Sequence, residues 1–110
     1  MSDDLFNIIY NKSLDLLSRR EHSFKEIKEK LSARFESKEI IESVIEKLSD
    51  NNLVNNTRYA EAYVSARKRK GFGPKKIAFE LSSKGVDESV TNSVIIEEGD
   101  WESAAKLAFL

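Results

Sequence analysis

The side chains in this sequence best placed to do chemistry are six cations around one glycine-flanked phenylalanine: Arg67-Lys68-Arg69-Lys70, then Gly71-Phe72-Gly73-Pro74, then Lys75-Lys76. Four consecutive basic residues at a helix end wrap most of the way around it, near carbonyls whose partial negative charge welcomes them. Lys75 and Lys76 are different. Pro74 suits the first position of a new helix, which puts both lysines in its first turn, where the macrodipole is positive and a cation costs ~0.3–1 kcal/mol. A locally unfavourable choice calls for an external anion. Helix amides, two lysines and the preceding arginines can converge on a phosphate or on a row of carboxylates. The plain alternative is a solvated face that keeps the chain soluble. Phe72 reads equally well as an exposed contact residue and as an anchor tucking the loop into the core.

No catalytic constellation accompanies these cations. The one histidine, His22, falls in a turn beside Arg20 and Glu21, without a second His or any Cys to build a metal site, and an exposed turn residue is expected. No serine lies in a Gly-x-Ser-x-Gly elbow, and the glycines flanking Phe72 do not form a strand-to-helix phosphate loop. We therefore expect no enzyme, no cofactor and no metal.

The 110 residues carry 18 Lys/Arg against 19 Asp/Glu, a net charge of −1 that hides its distribution. Residues 58–76 hold seven cations against one acid, whereas residues 77–110 hold two against seven. A strong dipole within a neutral sum suggests a partner that is itself patterned, since bare nucleic-acid binders show a more general basic excess. No apolar run approaches the ~18 residues of a membrane span, and zero cysteines exclude disulfides. The start, Met1-Ser2-Asp3-Asp4, lacks the layout of a secretory signal, so a cytoplasmic location is expected; a monomer is expected as well.

The elements that must position the cations repeat. At an offset of 50 residues, Arg20/Lys70, Lys25/Lys75, Ile27/Ile77 and Leu31/Leu81 match, followed by Ile40/Val90, Val44/Val94 and Ile45/Ile95. Small helical units of this kind cannot cover their apolar faces alone, so a stacked, elongated and curved all-α array of helix-turn-helix-like three-helix repeats is expected. Helix one runs from about Asp3 to Arg20. Ser23-x-x-Glu26 is a capping box opening helix two, and Ser37 caps helix three, with Ile40, Ile41, Val44, Ile45 and Leu48 inward. Leu53 and Val54 both look buried in the following link. Asn56 or Thr57 caps helix four, whose stripe is Tyr59, Ala60, Tyr63, Val64 and Ala66, the tyrosine hydroxyls reaching the surface. Ile77, Phe79 and Leu81 carry helix five toward the core, Gly85 ends it in the left-handed region, and Asp87 caps helix six. The repeats are thus expected at residues 1–54 and 55–99. Asp100-Trp101 begins a seventh helix over residues 100–110, the truncated start of a third repeat or, less favoured, an irregular cap.

Three stretches carry a resemblance. Leu17-Ser18-Arg19-Arg20-Glu21-His22-Ser23 with Glu26-Ile27 and Lys30-Leu31, then Arg58-Tyr59-Ala60-Glu61-Ala62-Tyr63-Val64, then Arg69-Lys70-Gly71-Phe72-Gly73-Pro74-Lys75-Lys76-Ile77 with Leu81-Ser82-Ser83-Lys84-Gly85-Val86, resemble the RecX regulatory proteins of bacteria. The chain departs from that pattern at Asn51-Asn52-Leu53-Val54-Asn55-Asn56, where the family usually has a glycine and acidic residues, and in length, since members commonly carry a third unit. The resemblance implies an all-helical, non-enzymatic regulator that binds the groove of the RecA–DNA filament. It would suppress RecA's ATPase, strand-exchange and co-protease activities, damping recombinational DNA repair and the SOS response. Arg58, Arg67, Lys68, Arg69, Lys70, Phe72, Lys75 and Lys76 are the candidate partner- or anion-binding residues. The competing expectation is a helix-turn-helix-like DNA-binding module using the same basic patch, with weak binding to single- or double-stranded DNA.

Overall fold

A computed structural model describes residues 2–101 and contains six α-helices, with no strand among the described residues. They fall into two compact units, Met1–Asn55 and Asn56–Leu110. The first holds α1 (Ser2–Arg19), α2 (Phe24–Arg34) and α3 (Lys38–Asp50), and the second holds α4 (Asn56–Arg69), α5 (Pro74–Ser83) and α6 (Glu88–Glu98). The seventh helix expected from Asp100 lies, beyond Trp101, outside the described residues.

Each unit closes around its own apolar cluster, and the 50-residue offset is visible in which positions are buried. Ile27, Leu31 and Val44 lie in the first core with Ile9, Ile41, Leu48 and Val54. Ile77, Leu81 and Val94 lie in the second with Tyr59, Ala60, Val64 and Val86. Such cores arise because apolar residues three and four apart form one helix stripe, and three stripes facing inward exclude water at roughly 25 cal/mol per Å² of apolar surface.

The caps explain where the helices begin. Ser23 Oγ accepts the Glu26 N–H at 3.1 Å while Glu26 Oε1 accepts the Ser23 N–H at 3.1 Å, the reciprocal capping box. Ser37 Oγ accepts the Ile40 N–H at 3.4 Å. Asp87 occupies the position before α6 but makes no side-chain cap; its carbonyl, accepting Thr91 N–H at 2.9 Å, starts the helix instead. Helix α4 begins at Asn56, so Asn56 and Thr57 lie inside its first turn and do not precede it.

Three helix ends close alike. A residue with positive φ reverses the chain, and the next N–H returns to a carbonyl five residues back: Leu53 to Leu48 after Asn52, Phe72 to Arg67 after Gly71, and Val86 to Leu81 after Gly85. Asn52, at φ 57°, tolerates the left-handed conformation because its short polar side chain incurs less penalty there than most.

Two apolar residues expected inside are outside. Leu53 is exposed, while its neighbour Val54 alone docks on the first core. Phe79 is 76% exposed. It sits two residues from each of Ile77 and Leu81, about 200° around a helix of 3.6 residues per turn, so burying both of those forces Phe79 to the far face.

Candidate functional site

The loop Lys70–Gly73 joins α4 to α5 and gathers most of the candidate residues. Gly71, at φ 91°, turns the chain sharply, and Phe72 packs half-buried against the second core. The Arg67 guanidinium stacks on the Phe72 ring at 3.8 Å from its centroid, and Lys76 Nζ stands 4.8 Å from the same centroid. The ring therefore anchors the loop and carries two cations, a contact that favours a flat guanidinium over an aromatic face.

Arg67 is also held from the other side. Its Nε and Nη2 donate to Glu80 Oε1 and Oε2 at 2.9 and 2.7 Å, and Tyr63 Oη donates to Glu80 Oε1 at 3.0 Å. These hydrogen bonds hold the Glu80 carboxyl below its usual range, the guanidinium contribution being the largest, and they raise Arg67. Lys68 turns away from the loop: its ammonium donates to the Gly99 carbonyl, lies 3.9 Å from Glu98 Oε1, and stands 5.3 Å from the Trp101 ring. Trp101 Nε1 in turn donates to the Ile95 carbonyl at 2.8 Å. The chain after α6 is thus tied to α4 by one lysine.

What remains outward is narrower than the sequence indicated. Arg69, Lys70 and Lys75 are exposed, and among the described residues none pairs with a carboxylate. Lys75 and Lys76 occupy the second and third positions of α5, whose first turn contains no acid. Lys76 is compensated by the Phe72 ring and by Glu80 one turn later, and Lys75 is not. Arg58 is half-buried in the first turn of α4, nine residues and so about 13 Å along the axis from Arg67. It is not part of this cluster.

His22 corrects an expectation outright. It is 1% exposed, with Nδ1 2.9 Å from the Arg20 carbonyl and Nε2 2.9 Å from Lys30 Nζ. The repeat contained the signal, because His22 falls at the position of Phe72, a core-packing residue in the second unit. Nothing in the sequence marks Glu80 or Trp101 as partners of the cations; Glu80 lies 13 residues from Arg67, a separation that no helical periodicity reports. Among the described residues no group of three or more His, Cys, Asp or Glu side chains is placed to hold a metal, and no helix is long and apolar enough to cross a membrane.

Two tandem three-helix units, the second with exposed cations around a well-anchored loop, define a helical-repeat protein. Residues 10–48 match the family model described as the first three-helix domain of RecX, and residues 55–95 match the second. This chain belongs to the RecX family of regulatory proteins. It is 36% identical over 100 residues to the regulatory protein RecX of Pseudomonas fluorescens, covering 90% of this chain and 64% of that one. With the RecX of Xanthomonas axonopodis pv. citri the identity is 38% over 96 residues, covering 86% and 59%. The chain thus spans less than two thirds of the length of these relatives. The crystal structure of RecX from Lactobacillus salivarius superposes with a TM-score of 0.83 at 31% identity, over 98% of this chain and 69% of that one.

Proposed function

We propose that this chain is a negative regulator of the RecA recombinase, binding in the groove of the RecA–DNA filament and restraining its ATP hydrolysis, strand exchange and co-protease activity. It would thereby damp recombinational repair and the SOS response in the cytoplasm, as a monomer without catalytic activity of its own. Membership of the RecX family supports the reading, and one observation carries it: Arg69, Lys70 and Lys75 project from the α4–α5 junction without internal carboxylates. Lys75, left uncompensated at a helix start, and the exposed Arg69 and Lys70 beside it favour an acidic partner surface, where charges of this kind set register and association rate more than raw affinity.

The test compares a RecA-coated single strand with the same strand bare, by fluorescence anisotropy across a salt series. We expect the coated strand to be bound more tightly, and Lys75→Glu with Lys70→Glu to weaken that binding and relieve inhibition of the RecA ATPase. Equal affinity for both, with a steep salt slope, would replace this reading with a DNA-binding module.

A further inference from the structure

The repeat supplies an internal comparison. On the outer surface of α2 and α3, Lys25 pairs with Glu29 at 3.9 Å and Lys28 with Glu42 at 3.8 Å. The same positions 50 residues on are Lys75, Phe79, Ala78 and Asn92. Both ion pairs are gone from the second unit. Lys75 keeps its charge, but the carboxylate one turn away has become a phenyl ring that is 76% exposed. Beside that ring, between α5 and α6, lies a cavity of about 270 Å³ lined also by Ala78, Ser82, Val86 and Thr91. Thr91 stands where the first unit has Ile41; it is 3% exposed, and its hydroxyl has no hydrogen-bond partner among the described residues. One repeat carries two surface ion pairs at these positions, whereas the other carries an exposed phenyl ring beside a concave patch of mixed polar and apolar lining, to which Glu88 and Asn92 also contribute, and is short of one carboxylate opposite Lys75.

We propose that the α5–α6 face is a docking surface for a protein segment that presents a carboxylate about one helical turn from an apolar side chain. The carboxylate takes the role that Glu29 plays toward Lys25, pairing with Lys75, while the apolar side chain enters the cavity against Phe79. Glu88 on the cavity rim, beside Asp87, repels a phosphate chain and favours a protein segment over nucleic acid. The inference rests on the filament reading above, since the segment would then belong to the protein coat of the filament.

Rebuilding the first unit's surface tests it without disturbing the fold, because the chain already uses that pattern once. Phe79→Glu restores the Lys–Glu pair, and Ala78→Lys with Asn92→Glu restores the other; melting followed by circular dichroism should be unchanged or raised. With the labelled chain titrated against RecA-coated single-stranded DNA, we expect Phe79→Glu to weaken binding about tenfold, as for loss of a central aromatic anchor, and to leave binding to the bare strand unchanged. Unchanged affinity for the coated strand in both variants overturns the proposal while the filament reading stands. An equal loss on the bare strand also overturns it, by assigning the ring to base stacking. A wild-type chain with no preference for the coated strand overturns the filament reading, and this proposal with it.

Discussion

His22 Nε2 lies 2.9 Å from Lys30 Nζ, inside a site where the imidazole is 1% exposed. Because Nδ1 faces the Arg20 carbonyl at 2.9 Å, the neutral ring carries its proton on Nδ1, donates there, and accepts from the lysine through Nε2. A second proton would set an N–H against an ammonium in a buried place. Burial is the main cause holding His22 below its ordinary value of 6.5; the Arg20 carbonyl opposes it, the charges of Arg20 and Lys30 add to it, and Glu26 works weakly against it.

It follows that the first unit should lose stability in mild acid. Above pH 6.5 the histidine is neutral folded and unfolded, and its contribution is fully present. As pH falls below that value the unfolded chain takes the proton first, so stability declines until the folded value is reached. Urea midpoints at pH 7.5 and 5.5 should differ in the wild type, and His22→Phe, which copies the residue at the equivalent position of the second unit, should flatten the difference. An unchanged wild-type midpoint would mean the buried ring is not titrating as its surroundings require.

The Arg67–Glu80 pair should respond in a different window. Glu80 is depressed chiefly by its hydrogen bonds to Arg67, so its contribution is present above the ordinary carboxylate value of 4.5 and is lost as pH falls through the folded one. Glu80→Gln should remove that acid-dependent part and unclamp the guanidinium from Phe72. In NMR spectra the ring-current shift of the Arg67 side-chain protons should collapse. Its persistence would show that the ring alone holds the arginine.

Neighbouring cations should separate into structural and surface roles. Lys68 ties α4 to Gly99, Glu98 and Trp101, and the chain has one tryptophan to report on it. Lys68→Ala should shift Trp101 emission to longer wavelength and lower the melting temperature, whereas Lys70→Ala should stay within about 0.5 kcal/mol of wild type, as exposed substitutions do. Equal effects of the two would contradict this division.

The local rules were readable and the long-range pairings were not. Ser23, Ser37, Pro74 and Gly85 mark helix ends through chemistry confined to three or four residues, so each could be placed from its neighbours alone. Phe79 faces solvent although its hydrophobicity argues for the core, because its angle to Ile77 and Leu81 puts it on the opposite face of the helix. His22 looked like a turn residue because nothing near it in sequence reveals that Lys30, eight residues on, closes over it. Arg67 with Glu80, and Lys68 with Gly99, join positions 13 and 31 residues apart, which only the packed units bring together.

Thr91 offers a last prediction because it sets stability against surface chemistry at one position. Its repeat counterpart, Ile41, is 1% exposed and wholly apolar, yet Thr91 buries a hydroxyl without a partner among the described residues. A buried, unsatisfied hydroxyl costs about 1–3 kcal/mol. Thr91→Val keeps the branched shape and deletes the polar atom, so it should raise the urea midpoint of the chain by about 1 kcal/mol equivalent. The opposite chemical change at another core position, Val44→Thr, 0% exposed in the first unit, should lower it by a comparable amount. If Thr91→Val instead destabilises, the hydroxyl is held by an interaction inside the native fold. A gain in stability would mean that this repeat tolerates a flaw in its core where its twin has none, on the same α5–α6 face where it also exposes Phe79 and leaves Lys75 without an acid.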